Sequence, residues 1–208
     1  MAYQIEGFDF DKHLDFIIDT AKTIKPNEVT VLTGPNGYGK SLLRKIVGPA
    51  MEKEGVFNGK VCSFSMNDRT VAKDHFAALR SLSMDQADEA TSDCTCTQIH
   101  YLLGKDSDNK YIVIDEPEIG MGKEVLLGLI DDIVKTIDEK KAAGTFKGLM
   151  IITHSEFFID NFPHDRFVNL EGLTYEQWKN REIKAISTKD LDEWCLQLWR
   201  TVQKRSNK

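Results

Sequence analysis

The sequence predicts an α/β protein in which helices sandwich a mainly parallel sheet. Short apolar segments alternate along the chain with longer segments whose apolar residues recur at helical spacing. Two short segments, residues 111–114 and 148–153, are almost continuously apolar and are each followed by a polar residue. This pattern is typical of strands buried on both faces of a parallel sheet. The 208 residues, 41% of them hydrophobic, suit one domain with a sizeable core.

Each element is predicted from its own local pattern. Apolar or β-branched runs that stop at glycine or at a charged residue predict strands, and spacings such as Leu126, Ile130, Ile133 and Ile137 predict helices. The predicted strands cover residues 28–33, 61–66, 111–114, 148–153 and 166–170. The predicted helices cover residues 41–54, 71–82, 97–103, 124–143 and 190–204. Strands that alternate with helices predict a parallel sheet covered on both sides.

Composition excludes several classes of protein. With 29% charged residues, the chain is expected to be globular and soluble. No apolar run approaches the roughly 20 residues that cross a bilayer, so no membrane insertion is expected. Residues 1–10 carry Glu6 and Asp9 and lack the basic start of a secretory signal, which favours a cytoplasmic location. The four cysteines show no zinc or disulfide spacing.

The charge distribution gives no support for nucleic-acid binding. The net charge is −6, whereas a dedicated nucleic-acid binder usually carries a basic face. The C-terminal end is locally basic, and we interpret it as a frayed, solvated helix end whose positive charge suits the helix dipole. Its basic residues are Arg200, Lys204, Arg205 and Lys208.

A phosphate-binding loop is predicted between the first strand and the following helix. Residues 34–41 read Gly-Pro-Asn-Gly-Tyr-Gly-Lys-Ser, a full match to the Walker A pattern G-x-x-x-x-G-K-S. Its glycines let backbone N–H groups point at phosphate oxygens, Lys40 supplies charge for the β- and γ-phosphates, and the Ser41 hydroxyl is a Mg²⁺ ligand. The candidate nucleotide-binding residues are Gly34, Pro35, Asn36, Gly37, Tyr38, Gly39, Lys40, Ser41 and Leu42.

Two further strands end in groups suited to hydrolysis of a phosphoanhydride. Residues 111–116 read Tyr-Ile-Val-Ile-Asp-Glu, which is the Walker B pattern. Asp115 is expected to hold Mg²⁺ through its water shell, and Glu116 to orient or deprotonate the attacking water. The next buried strand ends at His154, whose imidazole can hydrogen-bond a γ-phosphate oxygen. Lys40, Glu116 and His154 are therefore the candidate catalytic residues.

These motifs, in this order, resemble the ATPase domain of the ABC superfamily. Three features are more specific to this family than Walker A alone. They are the Gly-Pro-Asn-Gly opening, Pro117 after the acidic pair, and the histidine of Ile-Thr-His-Ser. The motif in which Glu118 follows Pro117 is similar to that of the soluble branch, which includes SMC-like, recombination-type and OLD-type ATPases. The resemblance implies a P-loop fold, ATP and Mg²⁺ as ligand and cofactor, and a site completed by a second subunit.

The resemblance also implies a domain layout. It covers roughly residues 1–170, within a single ABC-type domain of residues 1–208. A small helical insertion carrying the signature motif is expected over about 67–109, and a C-terminal extension over 173–208. The segment before Glu28 resembles the antiparallel strands with which such domains begin. Residues 166–172 resemble the strand and turn after the switch histidine.

The signature motif departs from the family pattern. No Leu-Ser-Gly-Gly-Gln string is present, and two fragments remain candidates for the serine that reaches a partner's nucleotide. Ser92 has the better spacing from the Walker B strand and precedes a helix predicted from about Cys94, whereas Ser83 lies in a better letter match. We favour Ser92, although Asp93 replaces a glycine. Asn67 is the candidate for the missing glutamine of the Q-loop.

Three functions stay open at this stage. The first is a stand-alone soluble ATPase whose cycle drives homodimerisation or engagement of an unlike protein partner. The second is the ATPase subunit of a membrane transporter, which the small size and Glu118 disfavour. The third is a regulatory ATP-binding switch with little turnover, which the degraded signature suggests. A GTPase is disfavoured because no Asn-Lys-x-Asp motif for reading guanine is present.

Overall fold

The computed structural model describes residues 7–65, 91–104, 107–183 and 187–206. The chain divides into two compact units. The first unit comprises Met1–Pro26, Leu32–Asn58 and Phe167–Lys208, and the second comprises Asn27–Val31 and Gly59–Arg166.

The described residues form strands and helices in alternation. The strands are β1 (Val29–Thr33), β2 (Val61–Ser65), β3 (Tyr111–Asp115), β4 (Leu149–Ile152) and β5 (Arg166–Asn169). The helices are α1 (Phe10–Thr23), α2 (Lys40–Lys53), α3 (Thr91–Leu103), α4 (Lys123–Ala142), α5 (Glu156–Asn161), α6 (Tyr175–Lys179) and α7 (Thr188–Ser206). In the described ranges, no helix combines the length and the apolar character that a bilayer crossing needs.

The strands form one five-stranded sheet in the order β2-β3-β4-β1-β5. β3 pairs in parallel with β2, with Val61 opposite Tyr111, and with β4, with Ile112 opposite Leu149. Every residue of β1, β3 and β4 is buried, which explains their largely apolar sequences. The polar exceptions are Thr30, Thr33 and Asp115. The predicted fold class is confirmed: the chain is an α/β protein with a parallel sheet and helices between the strands.

Helix α1 corrects the prediction for the start of the chain. The described residues before β1 form a helix and not antiparallel strands. Asp9 caps the helix by accepting a hydrogen bond from the Lys12 amide at 3.0 Å. The buried face carries Leu14, Ile17 and Ala21, spaced three to four residues apart. This spacing is a local helix signal, and α1 uses it to pack on α2 in the first unit.

Helix α7 buries one face and is tied to α1 at its C-terminal end. Trp194 and Leu198 are buried. The Arg205 guanidinium donates from Nε to Asp11 Oδ1 at 3.0 Å and forms an ion pair with Asp15. The interpretation of the basic end as a frayed helix terminus is therefore wrong for Arg205, because this side chain bridges two helices of the first unit.

The second unit is built around α4. This helix of 20 residues buries an apolar stripe and also Lys140, whose Nζ forms an ion pair with Asp108 and donates to the Gly104 carbonyl at 3.1 Å. Helix α3 begins at Thr91, six residues before the predicted start at residue 97. The predicted helix over residues 71–82 lies outside the described residues.

A close contact at Gly148 fixes the start of β4 beside β3. Gly148 has a φ of +120°, and a Cβ added there would lie 2.5 Å from Cε2 of Tyr111. Tyr111 is fully buried, so its ring has little room to withdraw. Glycine is therefore required at this position both by its backbone conformation and by the approach of the ring.

We predict that Gly148→Ala lowers the free energy of unfolding by roughly 2–5 kcal/mol, the sum of left-handed backbone strain and overpacking. Gly144→Ala is the matched control, because Gly144 has a φ of +72° and nothing within 4 Å of an added Cβ. It should lose only about 1–2 kcal/mol from the backbone. Urea unfolding would measure both variants, and equal losses would show that the contact with Tyr111 costs nothing.

Candidate functional site

The phosphate loop links β1 to α2 and ends at a helix N-terminus without a side-chain cap. The N-cap residue is Gly39, which has a left-handed backbone with a φ of 91°. A glycine cap has no side chain to satisfy the N–H groups of the first helical turn. Those groups and the positive end of the helix dipole are what an anion such as phosphate binds. The N-terminus of α2 is therefore open to an anion, and phosphate binding at this loop stays a prediction.

Lys40 lies folded over the loop in the first unit. Its side chain is buried, and its Nζ donates hydrogen bonds to the carbonyl oxygens of Gly34 and Pro35, each at 3.0 Å. The ammonium charge is thus held beside the loop backbone, close to the exposed Ser41 at the start of α2. Leu42, also predicted to contact nucleotide, is half-buried in the first turn of α2.

Aromatic residues pack against Tyr38 of the loop. The Tyr38 ring is buried and stacks on Trp194 with the ring centroids 4.8 Å apart and an interplanar angle of 14°. The Tyr38 carbonyl oxygen accepts a hydrogen bond from His13 Nε2 at 3.1 Å, which assigns the proton to that nitrogen. Burial, followed by the charge of Glu171, raises the pKa of Tyr38 to about 12, so its phenol stays neutral at physiological pH.

A cavity of about 330 Å³ opens beside Tyr38 within the first unit. Its wall is mainly aromatic and apolar, with one carboxylate at Glu171. The lining residues are Phe8, His13, Phe16, Tyr38 and the turn Leu170–Leu173. Glu171 is half-buried, and its carboxylate is an acceptor group among the residues that line the cavity. A flat, largely apolar ring with a hydrogen-bond donor at its edge suits this lining.

In the second unit, β3 ends at a buried carboxylate followed by a strained residue. Asp115 is 6% exposed at the end of the strand. Glu116 has a φ of +57°, although it is not a glycine, and its amide donates to the Ile152 carbonyl at 2.7 Å. A left-handed backbone costs a non-glycine residue roughly 1–2 kcal/mol, and such strain collects at functional sites.

The structure brings Glu116 and His154 together. His154 Nε2 lies 3.7 Å from Glu116 Oε1, and both side chains are about one third exposed, at 35% and 33%. This distance is longer than a hydrogen bond but allows direct attraction when the imidazole is protonated. The two groups predicted to act on the γ-phosphate are therefore neighbours in the second unit.

Glu118 connects the segments that follow β3 and β4. Its Oε1 accepts from the Thr153 hydroxyl at 2.6 Å and from the His154 amide at 2.9 Å. The Thr153 hydroxyl in turn accepts from the Ser155 amide at 3.0 Å. Carboxylate hydrogen bonds of this kind are about twice as strong as neutral ones, so Glu118 holds the backbone at His154. Sequence reasoning used Glu118 only as a family marker and missed this contact.

The candidates for the signature motif remain predictions. Ser92 lies in the first turn of α3, which begins at Thr91 and not near Cys94 as predicted. Nothing of the Ser92 side chain is described. Ser83 and Asn67 lie outside the described residues, as does most of the predicted signature subdomain.

Sequence reasoning also missed the surroundings of the loop. Phe8, His13 and Trp194 are distant from the motif in sequence, and no motif marks them. The helical spacing within α1 and the amphipathic pattern of α7 could have identified two helices in need of a partner. Neither pattern indicates that the partner is the phosphate loop.

No family model matches the sequence, and no curated protein matches it. Among solved structures, the chain is similar to PCH-2 of C. elegans at 20% identity over 77% of this chain and 40% of that chain, with a TM-score of 0.37. It is similar to Cdc6p from Pyrobaculum aerophilum at 12% identity over 77% of this chain and 44% of that chain, with a TM-score of 0.35. It is also similar to a DNA replication initiation factor at 12% identity over 99% of this chain and 68% of that chain, with a TM-score of 0.41. The chain spans less than half the length of the first two.

The buried histidine beneath the loop predicts a pH dependence of stability. Burial lowers the pKa of His13 from its usual 6.5, an effect larger than that of its hydrogen bond to Tyr38. The unfolded chain therefore binds a proton at a pH at which folded His13 does not, so stability falls as the pH drops below about 6.5. The loss stops below the folded pKa, where both states are protonated.

We expect His13→Gln to make the dependence of the free energy of unfolding on pH shallower between about pH 6.5 and 5 than in the wild type. Urea unfolding across this pH range would measure it. Parallel curves for the two proteins would show that His13 takes up its proton equally in both states.

Proposed function

We propose that the protein binds ATP with Mg²⁺ and hydrolyses it. The observation that carries this proposal is the phosphate loop, where α2 begins behind Gly39 without a side-chain cap and the Lys40 ammonium lies against the Gly34 and Pro35 carbonyl oxygens. Together they form a cradle for a triphosphate, whose negative charge they offset at close range. An added Cβ at Gly39 would lie 2.5 Å from Ile17 Cδ1, so the narrow backbone path is itself a requirement of the fold.

The residues predicted to hold Mg²⁺ suit a hard cation. The Ser41 hydroxyl is exposed at the first turn of α2, and Asp115 offers a buried carboxylate at the end of β3. Such oxygen ligands, with waters and phosphate oxygens, are those that Mg²⁺ prefers. When bound, the ion would neutralise charge on the β- and γ-phosphates.

The cavity beside Tyr38 supports adenine as the base. Its aromatic wall can stack on a purine, and Glu171 can accept a hydrogen bond from a 6-amino group. Guanine can also donate to a carboxylate, from N1–H and its 2-amino group, so the choice of adenine rests on the absence of a guanine-reading motif from the sequence.

Glu116 and His154 are proposed to act at the γ-phosphate. Glu116 would accept a proton from the attacking water or orient that water, and His154 would donate a hydrogen bond to a γ-phosphate oxygen. Their separation of 3.7 Å supports a shared task.

The class and the partners rest on the sequence motifs. We propose an ABC-type ATPase acting as a stand-alone cytoplasmic protein, in which ATP drives homodimerisation or engagement of an unlike partner through Ser92. An ATPase subunit of a transporter and an ATP-binding switch with little turnover are the alternatives. The net charge of −6 gives no support for nucleic acid as a ligand.

Lys40→Ala should weaken ATP binding by at least about 10-fold, because the loop loses the cation that faces the phosphates. Titration with a fluorescent ATP analogue would measure this. Lys45→Ala removes an exposed lysine of the same helix and serves as the matched control, with affinity expected to be unchanged. An undiminished affinity in Lys40→Ala would refute the site.

Glu116→Gln should keep ATP binding but reduce turnover by roughly 10²-fold or more, the scale of losing a positioned base. Phosphate release would measure turnover, with Glu124→Gln on the exposed first turn of α4 as control. A wild-type rate in Glu116→Gln would remove Glu116 from catalysis. A wild type without turnover would favour the regulatory switch.

The Glu116→Gln variant also tests assembly. With ATP and Mg²⁺ it should form a two-fold dimer in light scattering, and adding Ser92→Arg should abolish that dimer. A variant that stays monomeric at high concentration would argue against homodimerisation and favour an unlike partner. Equal dimerisation of both variants would place the interface elsewhere and direct attention to Ser83.

A further inference from the structure

The C-terminal helix α7 lies directly against the backbone of the phosphate loop. A Cβ added at Gly37 would lie 2.8 Å from Cys195 Sγ, 3.2 Å from Trp194 Cδ1 and 3.3 Å from Leu191 Cδ1. Real Cβ atoms essentially never approach other atoms within 3.0 Å. The loop backbone therefore follows the surface of α7, a helix that the family resemblance treats as an extension beyond the ATPase domain.

Trp194 is the centre of this contact. It is 1% exposed, and its ring stacks on Tyr38 of the loop. The same ring meets Phe8 at a centroid distance of 4.2 Å and Phe10 at 5.0 Å. Trp194 thus joins the loop to the start of α1, and its removal would leave the Tyr38 ring without its stacking partner.

The other end of α7 is held by α1. Leu198 is buried one turn after Trp194, and Arg205 bridges to Asp11 and Asp15. The helix is consequently fixed to α1 at two places along its length, at the aromatic cluster and at Arg205. A helix held in this way can act as a support for the loop because its own position is defined.

A phosphate loop needs such a support more than most loops do. Gly34, Gly37 and Gly39 all adopt positive φ, and glycine loses more conformational freedom on ordering than other residues. If the loop is ordered before nucleotide arrives, the entropy cost of ordering it does not reduce the binding affinity. Tyr38 provides the one large apolar side chain of residues 34–41 through which packing can order the loop.

We propose that Trp194 is a positioning residue for the phosphate loop, and that nucleotide binding and docking of α7 are therefore coupled. This inference rests on the proposed function, since it assumes that the loop binds a nucleotide. Coupling is reciprocal: a docked α7 favours nucleotide, and bound nucleotide favours docked α7 by the same factor. The C-terminal helix then belongs to the nucleotide site and reports its occupancy.

The first test compares two buried tryptophans of the first unit. Trp194→Ala should weaken binding of a fluorescent ATP analogue by about 10-fold, the scale of one aromatic stacking pair. Trp194→Phe should restore most of the affinity. Trp178→Ala is the matched control, because Trp178 is 2% exposed but packs on Phe167 and Arg181 and not on the loop. Unchanged affinity in Trp194→Ala, or an equal loss in Trp178→Ala, would overturn the proposal.

The second test does not depend on nucleotide. Hydrogen exchange of the amides of residues 34–41, measured without ligand, should be faster in Trp194→Ala than in the wild type. Equal exchange rates would overturn the positioning role. If the wild type binds no nucleotide, the proposed function fails, whereas this measurement still decides whether Trp194 orders the loop.

A milder variant guards against a failure of Trp194→Ala to fold. Arg205→Ala removes only the exposed bridge to α1 and should speed exchange in residues 188–206 and in residues 34–41 together. In the wild type, the ATP analogue should slow exchange in both segments. Faster exchange of α7 with an unaltered loop, or protection of the loop alone, would overturn the coupling.

Discussion

The contact between the phosphate loop and two helices governs the arrangement of the first unit. Ile17 of α1 approaches the position of a Cβ at Gly39 to 2.5 Å, and Cys195 of α7 approaches that at Gly37 to 2.8 Å. These glycines therefore serve packing, because a side chain at either position would force Ile17 or Cys195 to shift. The loop is thus enclosed by α1 and α7, as the proposed ordering of its backbone by Trp194 requires.

A second constraint, in the other unit, is the carboxylate of Glu118. By accepting from the Thr153 hydroxyl and the His154 amide, it ties the segment after β3 to the segment after β4. The amide of Glu116 bonds the end of β4 in addition. These bonds hold the left-handed backbone of Glu116 in place. Strain at such a residue persists only when the surrounding contacts outweigh it.

Most of the fold could be predicted because its signals are local. The buried strands are largely apolar segments, and α2, α4 and α7 have apolar residues at helical spacing. These patterns predicted the strands and the three helices, with ends shifted by a few residues. The short helices α5 and α6 were not predicted, and the start of the chain was predicted wrongly. Its helical spacing at Leu14, Ile17 and Ala21 was present, but the family resemblance favoured strands over that spacing.

The sequence by itself identified the candidate residues for phosphate and Mg²⁺ binding, since Gly34–Ser41 and Asp115–Glu116 are contiguous motifs with their own chemistry. The tertiary structure alone decided what surrounds them. Trp194 meets Tyr38, and Glu118 meets His154, across long stretches of chain. Such pairings depend on how helices and strands pack and leave no periodic pattern in the sequence, which is why reading the sequence could name the chemical groups and not the residues that hold them.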